Sequence, residues 1–348
     1  MNPRTTYIFI MSLGLGTTIT FASSHWLLAW MGLEMNTLAI IPLMAQQHHP
    51  RATEATTKYF ITQAAAAAML LFAATVNTWL TGQWLITQTM HPIPNFMITM
   101  ALAMKLGLAP MHVWLPEVLQ GISLITGMLL STWQKLAPFI LLTQVQQSNP
   151  HLLTGLGLLS VLVGGWGGLN QTQMRKVLAY SSIAHLGWMT MIVQFSPQTA
   201  LMTLMIYIML TSPIFLTLNL IKSTTTNALA TSWTTAPAVT MLTPLTLLSL
   251  GGLPPLTGFT PKWLIIQELT KQSLPTTATM AAMAALMSLY FYLRMTYSMA
   301  MTISPNNTTA TTIWRLKTKN TTLPLSVATT LAITLLPATP TIMALMPV

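Results

Sequence analysis

Cysteine and aspartate are both missing from this 348-residue sequence, and charged side chains of every kind make up only 5% of it. Without cysteine there are no disulfides, no thiolate zinc sites and no cysteine-ligated iron–sulfur clusters. Any redox centre the protein serves must sit on another chain. The missing aspartate, together with the lack of a P-loop, excludes a Walker-type ATPase. An ordinary soluble domain is about 25% charged, because a globule of this size needs that charge on its surface. A chain that is 53% hydrophobic, with mean hydropathy +0.61, has a different solvent, the bilayer.

A crossing helix needs roughly 20 apolar residues, so there is room for about ten to eleven spans with short loops. Apolar runs and polar punctuation place them at about 3–23, 25–45, 58–79, 95–117, 122–143, 151–170, 177–195, 199–220, 237–271, 275–296 and 323–345. The expected fold is an all-α polytopic membrane protein of about eleven transmembrane helices. It forms a single membrane domain over residues 1–348. No cleavable leader is expected, because Arg4 runs directly into the first long apolar stretch.

The formal net charge of +10 suggests nucleic acid in a soluble protein. Here topology accounts for it better. With the N-terminus on one face, Arg4, Arg51, Lys58, Arg175, Lys176, Lys222, Arg294, Arg315, Lys317 and Lys319 all fall on that face, and only Lys271 falls opposite. Ten against one fits the positive-inside rule, and a miscounted helix would scramble it. The N-terminal face is therefore the cytoplasm-equivalent one, with the C-terminus across the membrane.

Three of the fourteen basic residues, Lys105, Lys135 and Lys262, are left at mid-span, as is Glu34. An ionisable group at the bilayer centre costs about 2.5–3.5 kcal/mol on insertion scales. Such groups must face the protein interior, be paired or be hydrated. Lys105 is followed by Gly107 and Pro110, which interrupt the fourth span. The ninth span carries Gly251–Gly252–Leu253–Pro254–Pro255–Leu256–Thr257–Gly258, with Lys262 just beyond. Broken helices at membrane depth line cavities or are buried in protein. The breaks lie five spans apart, an odd offset, so the two copies run in opposite directions. This predicts two inverted five-helix repeats, residues 1–145 and 146–297, followed by a loop on the N-terminal face and one extra helix at 298–348.

His112 follows the first break and His185 lies inside the seventh span, the counterpart of the span holding Glu34. Each reads equally well as a packing residue or as a proton relay. Burial disfavours a charged ammonium and a nearby carboxylate favours it, so a lysine between these influences can load and release a proton. Lysines spaced by His, Ser and water form a proton path. Static ion pairs that fix helix packing are the alternative, although three lysines and one carboxylate supply too little negative charge for simple pairing. His48–His49, in a polar loop, reads as a loop feature and not a metal site. Gly164–Gly165–Trp166–Gly167–Gly168 reads as close helix packing. The Asn-X-Thr sequences at Asn170, Asn306, Asn307 and Asn320 fall on the N-terminal face and are discounted for glycosylation. The 27 methionines and 11 tryptophans read as lipid-facing and interfacial residues.

Several segments together resemble the chain 2 family of NADH–ubiquinone oxidoreductase, the mitochondrially encoded antiporter-like subunits of respiratory complex I. They are Trp30–Met31–Gly32–Leu33–Glu34–Met35–Asn36; Met104 to Pro110 continuing through His112, Trp114, Leu115, Pro116 and Glu117; Gly164 to Leu186; and Gly251 to Phe259. The resemblance implies a shortened, vertebrate-type member with eleven helices. It implies an inner-membrane location, with the N-terminus in the matrix and the C-terminus in the intermembrane space. It pairs Glu34 with Lys105, relays protons from Lys135 toward Lys262, and gives His112 and His185 places in the relay. It also implies that this chain binds no cofactor, because FMN, the iron–sulfur clusters, NADH and ubiquinone belong to other subunits. The implied partners are those subunits, especially neighbouring antiporter-like ones, and membrane lipids, with no nucleic acid. A stand-alone cation/proton antiporter or solute carrier is the alternative, since one fold serves both. A scaffold with inert buried ion pairs is the third.

Overall fold

The computed structural model describes residues 3–45, 49–88, 90–145, 150–234, 236–301 and 322–345. Arg315, Lys317, Lys319, Asn306, Asn307, Asn320 and His48 lie outside them. The described residues are helical throughout, apart from turns and two isolated β-bridges. The helices are α1 (Pro3–Ala22), α2 (Trp26–Met44), α3 (Pro50–Thr81), α4 (Pro92–Leu106), α5 (Trp114–Gly121), α6 (Leu124–Ser131), α7 (Trp133–Gln144) and α8 (Pro150–Gly168). They continue as α9 (Met174–Ile192), α10 (Pro197–Ile221), α11 (Thr226–Ala230), α12 (Pro237–Gly251), α13 (Phe259–Lys271), α14 (Pro275–Ala300), α15 (Leu323–Thr334) and α16 (Thr339–Leu345).

Seven stretches are long and apolar enough to cross a membrane, α6 and α7 counting together, or eight if the bent pair α15–α16 is one span. The bend of 69° in that pair falls beside Pro337, which cannot continue the hydrogen-bond ladder. The expected count of eleven is not reached by length and composition, for a physical reason. The fourth and ninth spans are split into pieces too short to qualify, and α9 carries Arg175 and Lys176 in its first turn.

Other boundaries also moved. Helix α3 starts at Pro50, not near 58, because proline fits the first helical position and the His49 ring caps the turn, accepting from Arg51 N at 3.2 Å. The polar run after Lys222 contains the short helix α11. The fifth span is interrupted at Thr132, whose hydroxyl donates to Met128 O at 2.6 Å, three residues before Lys135.

The chain divides into two compact units, residues 1–160 and 161–348. In the first, α1 and α2 pack closely through small residues. A Cβ on Gly16 would lie 2.9 Å from Gly32 O, and one on Gly32 would lie 2.9 Å from Gly16 O. In the second, a Cβ on Gly164 would meet the α9 backbone at Ala184 N, 2.7 Å away, and Gly167 faces the Tyr180 ring. The glycine-rich end of α8 is thus a packing surface, as its sequence predicts.

Each unit also has one isolated bridge, with the same bonds in each. Around His25 and Leu85, Trp26 N donates to Trp84 O and Ile86 N to Ser24 O. Around Gln173 and Thr225, Met174 N donates to Thr224 O and Thr226 N to Thr172 O.

Candidate functional site

In the first unit, α4 ends at Gly107, which is in the left-handed region at φ 77°, where glycine pays no Cβ penalty. Gly107 N bonds Ala103 O and Met104 O, and Leu108 N reaches back to Ala103 O at 3.0 Å. Of the two breakers the sequence named, Gly107 and Pro110, the left-handed glycine is the one that stops the helix, three residues before the proline. The chain then crosses to α5, leaving donors and acceptors inside the bundle. Ala109 N is satisfied by the buried Ser160 hydroxyl at 2.9 Å. The Leu106 carbonyl accepts from the Lys135 ammonium at 2.5 Å.

Lys135 is 1% exposed on α7, and its Nζ also lies 5.2 Å from the centroid of the Trp114 ring. Trp114 is itself fixed by donating to Met104 O at 3.2 Å and by an edge contact with Tyr59. Lys105, in the last turn of α4, is 5% exposed, and its Nζ has no hydrogen-bond partner. Glu34, on α2, accepts from the Thr37 hydroxyl at 2.8 Å. It is near enough for its charge to act on Lys105, but the two form no ion pair. His112 sits in the turn after Pro110, partly exposed, with Nδ1 at 3.2 Å from Pro110 O.

The second unit repeats the backbone device. Helix α12 ends at Gly252, φ 79°, whose N bonds Leu248 O and Ser249 O while Leu253 N reaches Leu248 O. The orphaned Gly251 carbonyl accepts from Lys262 Nζ at 2.6 Å. Gly258 has no room for a side chain, since a Cβ there would fall 1.7 Å from Ser249 O. Ser249 and Thr257 hydroxyls both donate to Ala332 O of α15, at 2.9 and 2.5 Å, one of the last-turn carbonyls that a helix end leaves unpaired. His185 on α9 is close enough to feel the Lys262 charge, and its ring lies 5.5 Å from that of Tyr207.

The remaining charges sort cleanly. Lys58 bridges Glu54 and Glu117, each at 2.8 Å and exposed, and Lys271 meets the half-buried Glu268 at 3.0 Å. Arg294 does more than report orientation. Its guanidinium donates to Leu169 O and, at 2.6 Å, to Gln171 O, capping the end of α8. Three of the four glutamates are thus held by exposed lysines, and Lys105, Lys135 and Lys262 enter no ion pair among the described residues.

Reading the ionisable residues alone missed the neutral polar ones around them. Asn36, Gln63 and Gln134 share a cavity with Lys105 and Lys135. The buried Tyr207 and Tyr292 hydroxyls lie beside Ser182 and Ser181. Uncharged amides inside apolar spans were the available signal, because such groups are costly in lipid unless the interior uses them.

Comparison with known proteins bears on what this arrangement belongs to. Residues 23–288 match the family described as NADH:quinone oxidoreductase/Mrp antiporter, TM, and residues 289–343 match NADH dehydrogenase subunit 2 C-terminus. Proteins called NADH-ubiquinone oxidoreductase chain 2 from Tetraodon nigroviridis and Salmo salar are each 65% identical over 345 and 347 residues, covering 99% of both chains. A chain of respiratory complex I from Thermus thermophilus superposes with TM-score 0.87 at 26% identity, covering 99% of this chain and 80% of that one. A chain of the Mrp complex from Dietzia sp. DQ12-45-1b shares the fold, with TM-score 0.81 at 15% identity over 96% of this chain and 75% of that one. A helical membrane chain with two broken spans and lysines at both breaks, 65% identical end to end to such relatives, belongs to the NADH-ubiquinone oxidoreductase chain 2 family.

Proposed function

We infer that this chain is a core membrane subunit of respiratory complex I and that it translocates protons through Glu34, Lys105, Lys135 and Lys262, with His112 and His185. The observation that carries this reading is the state of the lysines. Lys105 and Lys135 are buried and Lys262 is half-buried, and among the described residues no carboxylate pairs with any of the three. Two of them donate to carbonyls that a helix break leaves over. A scaffold would neutralise buried charges in pairs, because an unpaired buried charge costs several kcal/mol. A proton carrier needs groups whose charged and neutral forms are both accessible, and a carbonyl acceptor serves that end. It holds an ammonium without fixing it there as a carboxylate would.

Electron transfer from NADH to ubiquinone, with its FMN and iron–sulfur clusters, takes place on other subunits. This chain offers no cysteine for a cluster. The family supports the inner mitochondrial membrane, and the charge asymmetry then puts the N-terminus in the matrix and the C-terminus in the intermembrane space. Counting the two broken spans and α9 gives eleven crossings. The organisation is two inverted repeats, supported by the offset of the breaks and by the matching β-bridges.

The test is NADH-driven proton uptake by the intact complex in sealed vesicles. Lys135→Ala in an assembled complex should lose most pumping, and unchanged pumping would refute the relay. Migration of the chain apart from the NADH-oxidising assembly on a native gel would instead favour a free-standing antiporter.

A further inference from the structure

We propose that Asn36 and Gln63 are positioning residues that hold ordered water against Lys105 and so join it to Lys135; the functional part of this rests on the relay reading above. Asn36 and Gln63 are 2% and 3% exposed, inside α2 and α3. Asn36 Nδ2 and Oδ1, Gln63 Nε2 and Lys105 Nζ are all buried with no protein partner. The three residues line one cavity of about 10 Å³, and Lys135 and Gln134 line it too. Four unsatisfied polar atoms around one space are not an accident of packing, since a buried donor or acceptor left unmet keeps its full desolvation cost.

The chemistry of the lining selects the occupant. Lys105 offers three donors and the two amide nitrogens offer more, while the Asn36 carbonyl supplies the acceptor. A water accepts from Lys105 and Gln63 and donates to Asn36 Oδ1, satisfying both kinds of group at once. The volume is about that of one water position, and two to four polar partners are what a buried water requires. No carboxylate lines the cavity to compete for the ammonium. Asn36 Oδ1 also lies close to α1, since a Cβ on Gly16 would be 2.4 Å from it. Its backbone is tied to α7 through Gln134 Nε2, which donates to Asn36 O at 3.1 Å. Lys135 uses one N–H on Leu106 O, and another of its N–H groups can replace Gln63 as the second donor to this water, which accepts two hydrogen bonds.

The experiment uses the intact complex, with a density map fine enough to show ordered waters and a vesicle assay of protons pumped per NADH oxidised. The parent should show water density within hydrogen-bond reach of Lys105 Nζ and of Asn36 or Gln63. Gln63→Met, close in shape, should remove that density and cut the pumping ratio at least twofold with the complex assembled. Asn36→Leu should do the same, and Asn36→Ser, which keeps a hydroxyl, should restore both readouts. A parent map with ordered waters elsewhere but none here would overturn the proposal. So would parental pumping in both the Met and Leu variants. If the density is present but Lys105→Ala pumps normally, the water site stands and the relay falls. If Lys105→Ala stops pumping and the density is missing, the relay stands and this proposal falls.

Discussion

Aligned on their left-handed glycines, the two breaks match in backbone bonding position by position, and in residue type at the glycine, the following leucine and the last proline. Lys105–Leu106–Gly107–Leu108–Ala109–Pro110 stands against Leu250–Gly251–Gly252–Leu253–Pro254–Pro255, with the same capping bonds and the same carbonyl given to a lysine. The lysine comes from different places. In the first unit it is Lys135, from a separate helix. In the second it is Lys262, eleven residues along the same broken span. Where the first unit has a second lysine, Lys105, the second has the apolar Leu250. The backbone device is therefore the constant element, and the ionisable groups around it vary. A break creates an acceptor inside the bundle, and any nearby ammonium can fill it.

The largest expected effect tests the backbone half of this match. Gly258→Ala drives a Cβ into the Ser249 carbonyl, which cannot swing away, and should destabilise the second unit by more than about 4 kcal/mol. Gly107→Ala meets only the Leu115 and Trp114 side chains but must hold a positive φ, at a cost of about 1–3 kcal/mol. Thermal melting of the solubilised complex ranks the two, and an equal loss would show that the breaks are not built to different tolerances. Next, Lys135→Met and Lys262→Met should each lower pumping roughly tenfold or more in assembled complexes. Normal pumping from either would end the functional parallel while leaving the structural one.

A smaller effect concerns the link the first unit lacks. Ser249→Ala with Thr257→Val leaves Ala332 O without its hydroxyl donors, worth about 1–3 kcal/mol. Faster amide exchange confined to α15 and α16 is the expected signature, and uniform exchange would count against it. The smallest is Lys58→Met, which removes two exposed ion pairs and should shift the melting of the complex least of all, an effect that added salt should mask.

How much of this was legible in the sequence differs by kind. Four residues, Glu34, Lys105, Lys135 and Lys262, stand out because charge in an apolar run is rare and costly. The breaks stand out because glycine and proline punctuate helices. Boundaries were read less well. Local bonds set them, such as the His49 cap on α3 and the left-handed Gly107 on α4, and hydropathy does not register either. Asn36, Gln63, Tyr207 and Tyr292 were passed over because uncharged polar side chains scatter through lipid-facing and interior positions alike.

By itself, then, the sequence determined the solvent, the helical class, the orientation of the loops and the charges that need explaining. Each follows from transfer free energies that act on one residue at a time. Only the tertiary structure decided which acceptor Lys135 and Lys262 meet, that among the described residues no carboxylate pairs with Lys105, Lys135 or Lys262, and which neutral groups line the cavity beside Lys105 and Lys135. Those outcomes depend on contacts between residues far apart in the chain. Leu106 and Lys135, or Asn36 and Lys105, are brought together by packing that no local pattern encodes.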